Sequence, residues 1–211
     1  FHAGIYMLQP SDRDCETALF NARQGYLQAL GGGSSYEFSR MEFLKQDSER
    51  RQLGKQGHEA IRNHQFQMYL QFIVRGDSGK LAGAEALSRW EHPQKGLLHP
   101  GKYIQLMESD KTIEELEFYI FEEVCRQLEY WEKKGWDLSI SCNFARITID
   151  HEDFPAHLQS ITDRYSFRRS NLIIELTEDA MENNKEIAFN NVSVCKQMGF
   201  RIALDDAGCG Y

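Results

Sequence analysis

Hydrophobic and polar positions divide this chain into strands and helices that alternate over most of its length. Phe66 to Val74 is an apolar run bounded by polar residues, Gly76-Asp77-Ser78-Gly79 turns it, and Gly83 to Trp90 follows as a second strand, so the two predict a hairpin. Side chains of a strand alternate between faces, which puts Glu85, Leu87 and Arg89 on one side and Ala84, Ala86, Ser88 and Trp90 on the other. A short helix around Lys102 to Glu108 precedes a long one from Ile113 to Lys134. In the long helix Ile113, Leu116, Ile120, Phe121, Val124, Leu128 and Trp131 recur at helical spacing, and Gly135 is the expected stop. The pattern then repeats. Leu138 to Phe144 reads as a strand, a helix carries Phe154, Leu158, Ile161 and Tyr165, and Leu172 to Leu176 reads as a strand. A further helix spans Met181 to Met198 with Gly199 as its stop, and Phe200 to Asp205 reads as a strand. Strands alternating with helices imply parallel strands joined by crossovers.

The first 64 residues read differently. Phe1 to Leu8 predicts a strand, and a helix follows with Ser11 and Asp14 as a capping pair. Its apolar positions are Cys15, Ala18, Leu19, Ala22, Tyr26 and Leu30, and Gly31-Gly32-Gly33 ends it before a short strand at Ser35 to Ser39. The alternative to a separate domain is a small αβ cap packed on the main domain. From Arg40 to His64 the sequence is polar and charged, with Met41, Leu44, Leu53 and Ile61 as sparse apolar positions, which predicts a linker helix broken near Gly54.

Composition narrows the class. At 41% hydrophobic residues over 211 positions the chain can bury an ordinary core. A net charge of −8 argues against a general nucleic-acid binder and gives no DNA partner, although Arg164, Arg168 and Arg169 could form a local basic cluster. Cys15, Cys125, Cys142, Cys195 and Cys209 are odd in number and scattered, without zinc spacing, and read as reduced thiols. No apolar run reaches the length of a membrane span, and residue 1 falls inside a strand pattern rather than a signal peptide, so the expectation is a cytoplasmic chain cut at its front.

The chemistry gathers at acids on strands. A carboxylate on the Ala-, Gly- and Leu-rich strand around Glu85 is costly to bury unless a cation or donor meets it, and an ion pair with Arg89 is a sufficient structural reason for it. Asn143, Glu175 and Asp205 each fall near the C-terminal part of a strand, where a barrel-like closure would bring them to one rim with Glu85. Oxygen ligands without His or Cys suit Mg2+ or Mn2+, and a pair of such ions can activate water and neutralise a phosphodiester.

Glu85-Ala86-Leu87, followed by Arg89-Trp90, His92-Pro93 and Gly96-Leu97-Leu98-His99-Pro100-Gly101-Lys102-Tyr103-Ile104, resembles the signature of the EAL domain family, whose members hydrolyse cyclic di-GMP. The resemblance runs from about Gln65 to Tyr211 and implies an α/β fold: an incomplete TIM-like (β/α) barrel with an antiparallel first strand. It implies Glu85, Asn143, Glu175, Asp205 and Asp206 as metal ligands, Glu85, Asp205 and Asp206 as catalytic groups, and Gln71, Leu87 and Arg89 as contacts to cyclic di-GMP. Glu178 fits the family pattern too, but an acid at a helix N-terminus needs no further reason. The implied product is linear pGpG, and the implied partners are cyclic di-GMP and a second copy of the chain through the EAL part. Residues 1–39 resemble, more weakly, the C-terminal tail of a GGDEF domain without its signature loop. This gives a division into 1–39, a linker at 40–64 and an EAL part at 65–211.

Three departures from the family pattern stand in this chain, and the last of them keeps a second reading open. Phe72 stands where the family usually has Pro, Ala145 where Ser is usual, and Asp205-Asp206-Ala207-Gly208-Cys209-Gly210-Tyr211 departs from the family's loop at Ala207 and Cys209. The family's later strands, with a catalytic Lys, lie beyond Tyr211, so residues 1–211 alone are expected to hydrolyse poorly. A degenerate EAL domain that binds cyclic di-GMP or a protein without catalysis is the alternative to the phosphodiesterase.

Overall fold

The structure is a computed structural model that describes residues 1–8, 14–39, 53–54, 56–177 and 185–205. Two compact units divide the chain, Phe1–Leu53 and Gly54–Tyr211.

In the first unit, β1 (Ala3–Ile5) and β2 (Tyr36–Phe38) pair in parallel as a two-stranded sheet, and α1 (Cys15–Gly32) is the crossover that parallel pairing requires. The strand expected over Phe1 to Leu8 is confined to three residues. Ser11 lies outside the described residues, and the N-cap is Asp14, whose carboxylate accepts from the Thr17 N–H at 2.6 Å. The helix closes on Gly33 in the left-handed conformation, φ 70°. Its buried stripe is Asn21, Gly25 and Ala29, whereas Leu19 and Leu30 stand exposed, which corrects the apolar face read from the sequence. Backbone proximity is the reason. A Cβ on Gly4 would lie 1.8 Å from the Ala22 carbonyl oxygen and one on Gly25 would lie 2.7 Å from that of Glu37, so strands and helix meet through positions with no side chain.

The second unit is an α/β sheet in the order β3 (Phe66–Val74), β4 (Leu81–His92), β6 (Ser139–Phe144), β7 (Leu172–Thr177), β8 (Arg201–Asp205), with β5 (Gly96–Leu98) paired to β4. The first strand is antiparallel to β4, as expected, and β4, β6, β7 and β8 run parallel. The hairpin forms as read: Arg75 donates its N–H to the Lys80 carbonyl across the Gly76-to-Gly79 turn. Residues 56–62 form a helix, α2, that buries Ala60 and Ile61, so this stretch contributes to the core of the second unit rather than staying wholly solvated.

Helices cover one face of the sheet. After the 3-10 turn at Pro100–Lys102 come α3 (Ile104–Ser109) and α4 (Ile113–Lys133), and all seven apolar positions read for α4 are buried. Gly135 follows with φ 73°. Then come α5 (Arg146–Ile149), α6 (Phe154–Thr162) and α7 (Lys185–Gln197). Tyr165 falls past the end of α6, and residues 181–184 of the expected last helix lie outside the described residues. The rings of Phe118, Phe121 and Phe154 surround Phe144 at centroid distances of 5.9, 5.8 and 5.1 Å. Trp90, Phe66 and Tyr103 form a second cluster, where Tyr103 hydrogen-bonds Ser88 at 2.8 Å. Aromatic burial on this scale dominates the energetics of a small core.

The arginines read as a local basic cluster are neutralised pairwise instead. Arg164 meets Glu122 at 3.0 Å, Arg168 meets Asp137 at 3.0 Å, and Arg169 meets Asp163 at 2.5 Å while stacking on Phe200. Cys15, Cys125, Cys142 and Cys195 are free thiols; Cys209 lies outside the described residues.

Candidate functional site

Register decides which side chains can meet. Cross-strand partners point to the same face of a sheet, and Gln71 pairs with Glu85, Glu85 with Ser141, Asn143 with Glu175, and Thr177 with Asp205. Since positions two apart share a face, Gln71, Glu85, Asn143, Glu175 and Asp205 all lie on the face opposite the helices. Each step from Glu85 to Asn143 and from Glu175 to Asp205 advances two residues toward the C-terminal ends of the parallel strands. Leu87 and Arg89 continue the same face of β4.

Glu85 accepts a hydrogen bond from the Asn143 amide nitrogen at 2.8 Å. Its partner among the described residues is therefore Asn143, and the ion pair with Arg89 is not formed. Arg89 is held elsewhere: Nη1 donates to the Ser88 carbonyl at 2.8 Å, and the guanidinium lies 5.7 Å from the Tyr69 ring centroid. Leu87 and Asn143 line a cavity of about 260 Å³ together with Ser88, Pro100, Ile104 and Glu117. Asp206 and Glu178 lie outside the described residues, as do Ala207, Gly208, Cys209, Gly210 and Tyr211.

The electrostatics mark the acids as a group. Burial raises the Glu175 carboxyl above its usual range, and the carboxylates of Glu85 and Asp205 raise it further, with Ser141 working against them. Carboxylates that disfavour each other's charge are what a divalent cation would relieve. The donor set of carboxylates and one amide oxygen, free of His and Cys, fits a hard ion. Among the described residues no group of three or more His, Cys, Asp or Glu is gathered closely enough to hold an ion without rearrangement, and the Asn143 amide turns its donor end toward Glu85.

One residue escaped the sequence reading. Glu117 occupies a position of the α4 stripe, four residues after Ile113 and four before Phe121, where an acid should have stood out. Its Oε1 accepts from the Ala145 N–H at 2.6 Å, and its Oε2 is buried without a well-formed hydrogen bond. Burial pushes this carboxyl up to about 8 from an ordinary 4.5, against the Thr148 hydroxyl and the Ala145 N–H, with Glu108 and Glu114 adding to the rise. A carboxyl with a raised folded pKa contributes stability that is complete below its unfolded pKa and is lost as pH rises through the folded one. Denaturation midpoints should accordingly fall between roughly pH 5 and 8, and Glu117→Gln should flatten that part of the profile. Parallel declines in the two proteins would contradict the assignment.

A family model described as the EAL domain matches residues 55–211. The bifunctional diguanylate cyclase/cyclic di-GMP phosphodiesterase MucR of Pseudomonas aeruginosa is 30% identical over 181 residues, which cover 85% of this chain and 26% of that protein. The solved structure of the PaMucR phosphodiesterase in complex with c-di-GMP superposes with a TM-score of 0.72 at 31% identity, covering 76% of this chain and 65% of the other. The S helix-GGDEF-EAL structure of Vibrio cholerae LapD, bound to c-di-GMP, shares the fold across 99% of this chain and 50% of its own, with a TM-score of 0.70 at 18% identity. The chain thus spans about a quarter of the length of the MucR relative it matches.

Proposed function

Because this chain belongs to the EAL domain family, we propose that the protein carrying it hydrolyses cyclic di-GMP to linear pGpG with the help of Mg2+ or Mn2+, in bacterial second-messenger signalling. The observation that carries the proposal is the line of Glu85, Asn143, Glu175 and Asp205 along one sheet face, which steps toward the C-terminal ends of the parallel strands from Glu85 to Asn143 and from Glu175 to Asp205. In this reading those four residues and Asp206 hold the metal. When bound, the metal supplies an acidified water and neutralises phosphate charge. Glu85, Asp205 and Asp206 carry the negative charge that fixes the reacting groups. Arg89, steadied by Ser88 and Tyr69, offers its remaining guanidinium donors to a phosphate, and charge-assisted pairing of this kind is stronger than a neutral hydrogen bond. Gln71, opposite Glu85, gives a neutral amide contact, and Leu87 gives apolar surface beside the cavity.

The same proposal treats residues 1–39 as the C-terminal tail of a GGDEF domain and 40–64 as the linker to the EAL part, which the fold likeness to LapD supports. The family match already begins at 55, so the EAL part takes in α2. No helix among the described residues is long and apolar enough to cross a membrane; it is cyclic di-GMP, as an intracellular messenger, that sets the proposal in the cytoplasm. Pairing of two copies through the EAL part belongs to it as well.

The alternative is a receptor that binds cyclic di-GMP without cleaving it, and the departures from the family's loop at Ala207 and Cys209 favour it. Incubating the protein that carries this chain with cyclic di-GMP, with Mg2+ or with a chelator, separates the two. Ion-dependent appearance of pGpG is expected. Tight binding with no pGpG at any ion concentration would establish the receptor instead.

A further inference from the structure

Glu117 belongs to α4, yet what it touches belongs to the turn after β6. Helix α5 is a single turn whose N-cap, Ala145, has no side chain able to accept a hydrogen bond. The first N–H groups of a helix need acceptors from outside it, and here a carboxyl oxygen from another helix provides one, at 2.6 Å. The far end of the same turn is held in a similar way. Asn191 of α7, 2% exposed, donates to the Ile149 carbonyl at 2.7 Å and to the His151 carbonyl at 2.8 Å. Polar groups in such places are unfavourable unless they satisfy a backbone partner, so residues 145–151 are clamped at both ends by side chains that do so.

Asn143 lies two residues before this clamped turn. Its amide reaches Glu85 at 2.8 Å only from where the strand places it, so its position beside that carboxylate depends on how the strand is carried into the turn. We infer that Glu117 is a positioning residue that, by holding the Ala145 N–H, fixes the turn from β6 into α5 and with it the presentation of Asn143 beside Glu85. Its effect on metal rests on the phosphodiesterase reading; its effect on Asn143 does not.

Three variants of the full protein test this. Glu117→Leu keeps the size and removes the acceptor, Glu117→Gln keeps an acceptor oxygen, and Ala145→Pro deletes the donated N–H at a residue whose φ of −66° already suits proline. Outer partners of metal ligands typically govern affinity by about 10- to 100-fold. Glu117→Leu and Ala145→Pro should weaken Mn2+ binding, followed by calorimetry, by that factor. They should raise the Mg2+ needed for half-maximal hydrolysis equally, and shift the Asn143 side-chain amide resonances in NMR spectra. Glu117→Gln should restore all three. Should Glu117→Leu not fold, Ala145→Pro carries the test alone. An unmoved Asn143 resonance with wild-type Mn2+ affinity overturns the inference, and so does equal loss in Glu117→Gln and Glu117→Leu. Failure of the phosphodiesterase reading looks different: wild-type protein would then bind no Mn2+ at the site and be indifferent to Glu85→Gln, while the Asn143 resonances would still report on the clamp.

Discussion

Glu85→Gln should stop hydrolysis of cyclic di-GMP while leaving the fold in place, a loss beyond the roughly 100-fold that outer partners of metal ligands reach. The amide keeps an oxygen that can accept the Asn143 hydrogen bond now made at 2.8 Å. It loses the charge that a hard divalent ion requires. Were Glu85 the partner of Arg89, the same change would strand a cation and cost about 3–5 kcal/mol. The structure removes that route to instability, since Arg89 rests on the Ser88 carbonyl and the Tyr69 ring. The metal-free melt should then stay within about 0.5 kcal/mol of wild type, as for a substitution that breaks no buried contact. Melts with and without Mg2+, run beside a pGpG assay, read both halves. A variant that melts early without metal and still produces pGpG in the cold would refute the ligand role.

The second large effect is structural and reaches the site through the sheet. Gly83 pairs with Ser139 where β4 meets β6, and a Cβ placed there would lie 2.2 Å from the Ser139 carbonyl oxygen. The obstacle is the backbone of a paired strand, which cannot swing aside as a side chain could. Overpacking usually costs 1–3 kcal/mol, and Gly83→Ala should reach about 3 kcal/mol or more. Because β4 carries Glu85 and β6 carries Asn143, the same displacement should separate those two residues. Gly76→Ala in the adjoining hairpin is the control: a Cβ there meets nothing within 4 Å, and its effect should stay within about 0.5 kcal/mol. Urea denaturation of the three proteins decides the matter. Equal midpoints for Gly83→Ala and wild type would refute the close approach of β4 and β6.

Periodicity, with the residues that stop helices and turn chains, determined most elements of the second unit, though not β5 or α5. The α4 stripe, the Gly135 stop, the hairpin at Gly76 to Gly79 and the strands carrying Glu85, Asn143, Glu175 and Asp205 all follow from side-chain spacing and from residues that end helices or turn chains. Those signals are local, and a local rule is enough where one face of an element must be apolar. The family motif around Glu85 is likewise contiguous in sequence. What the tertiary structure decided are pairings between distant segments. It gave Glu85 to Asn143 rather than to Arg89, four residues away on the same strand, because the neighbouring strand's amide comes within 2.8 Å of its carboxylate. It turned α1 so that Asn21, Gly25 and Ala29 are buried rather than Leu19 and Leu30, since close backbone approach favours small residues whatever their hydropathy. It dispersed Arg164, Arg168 and Arg169 among three different acids. It also made Glu117 the acceptor for an N–H 28 residues further along the chain. Spacing within a segment sets which face a side chain occupies; the partner it finds there depends on the register and approach of other segments, which no single stretch of sequence encodes.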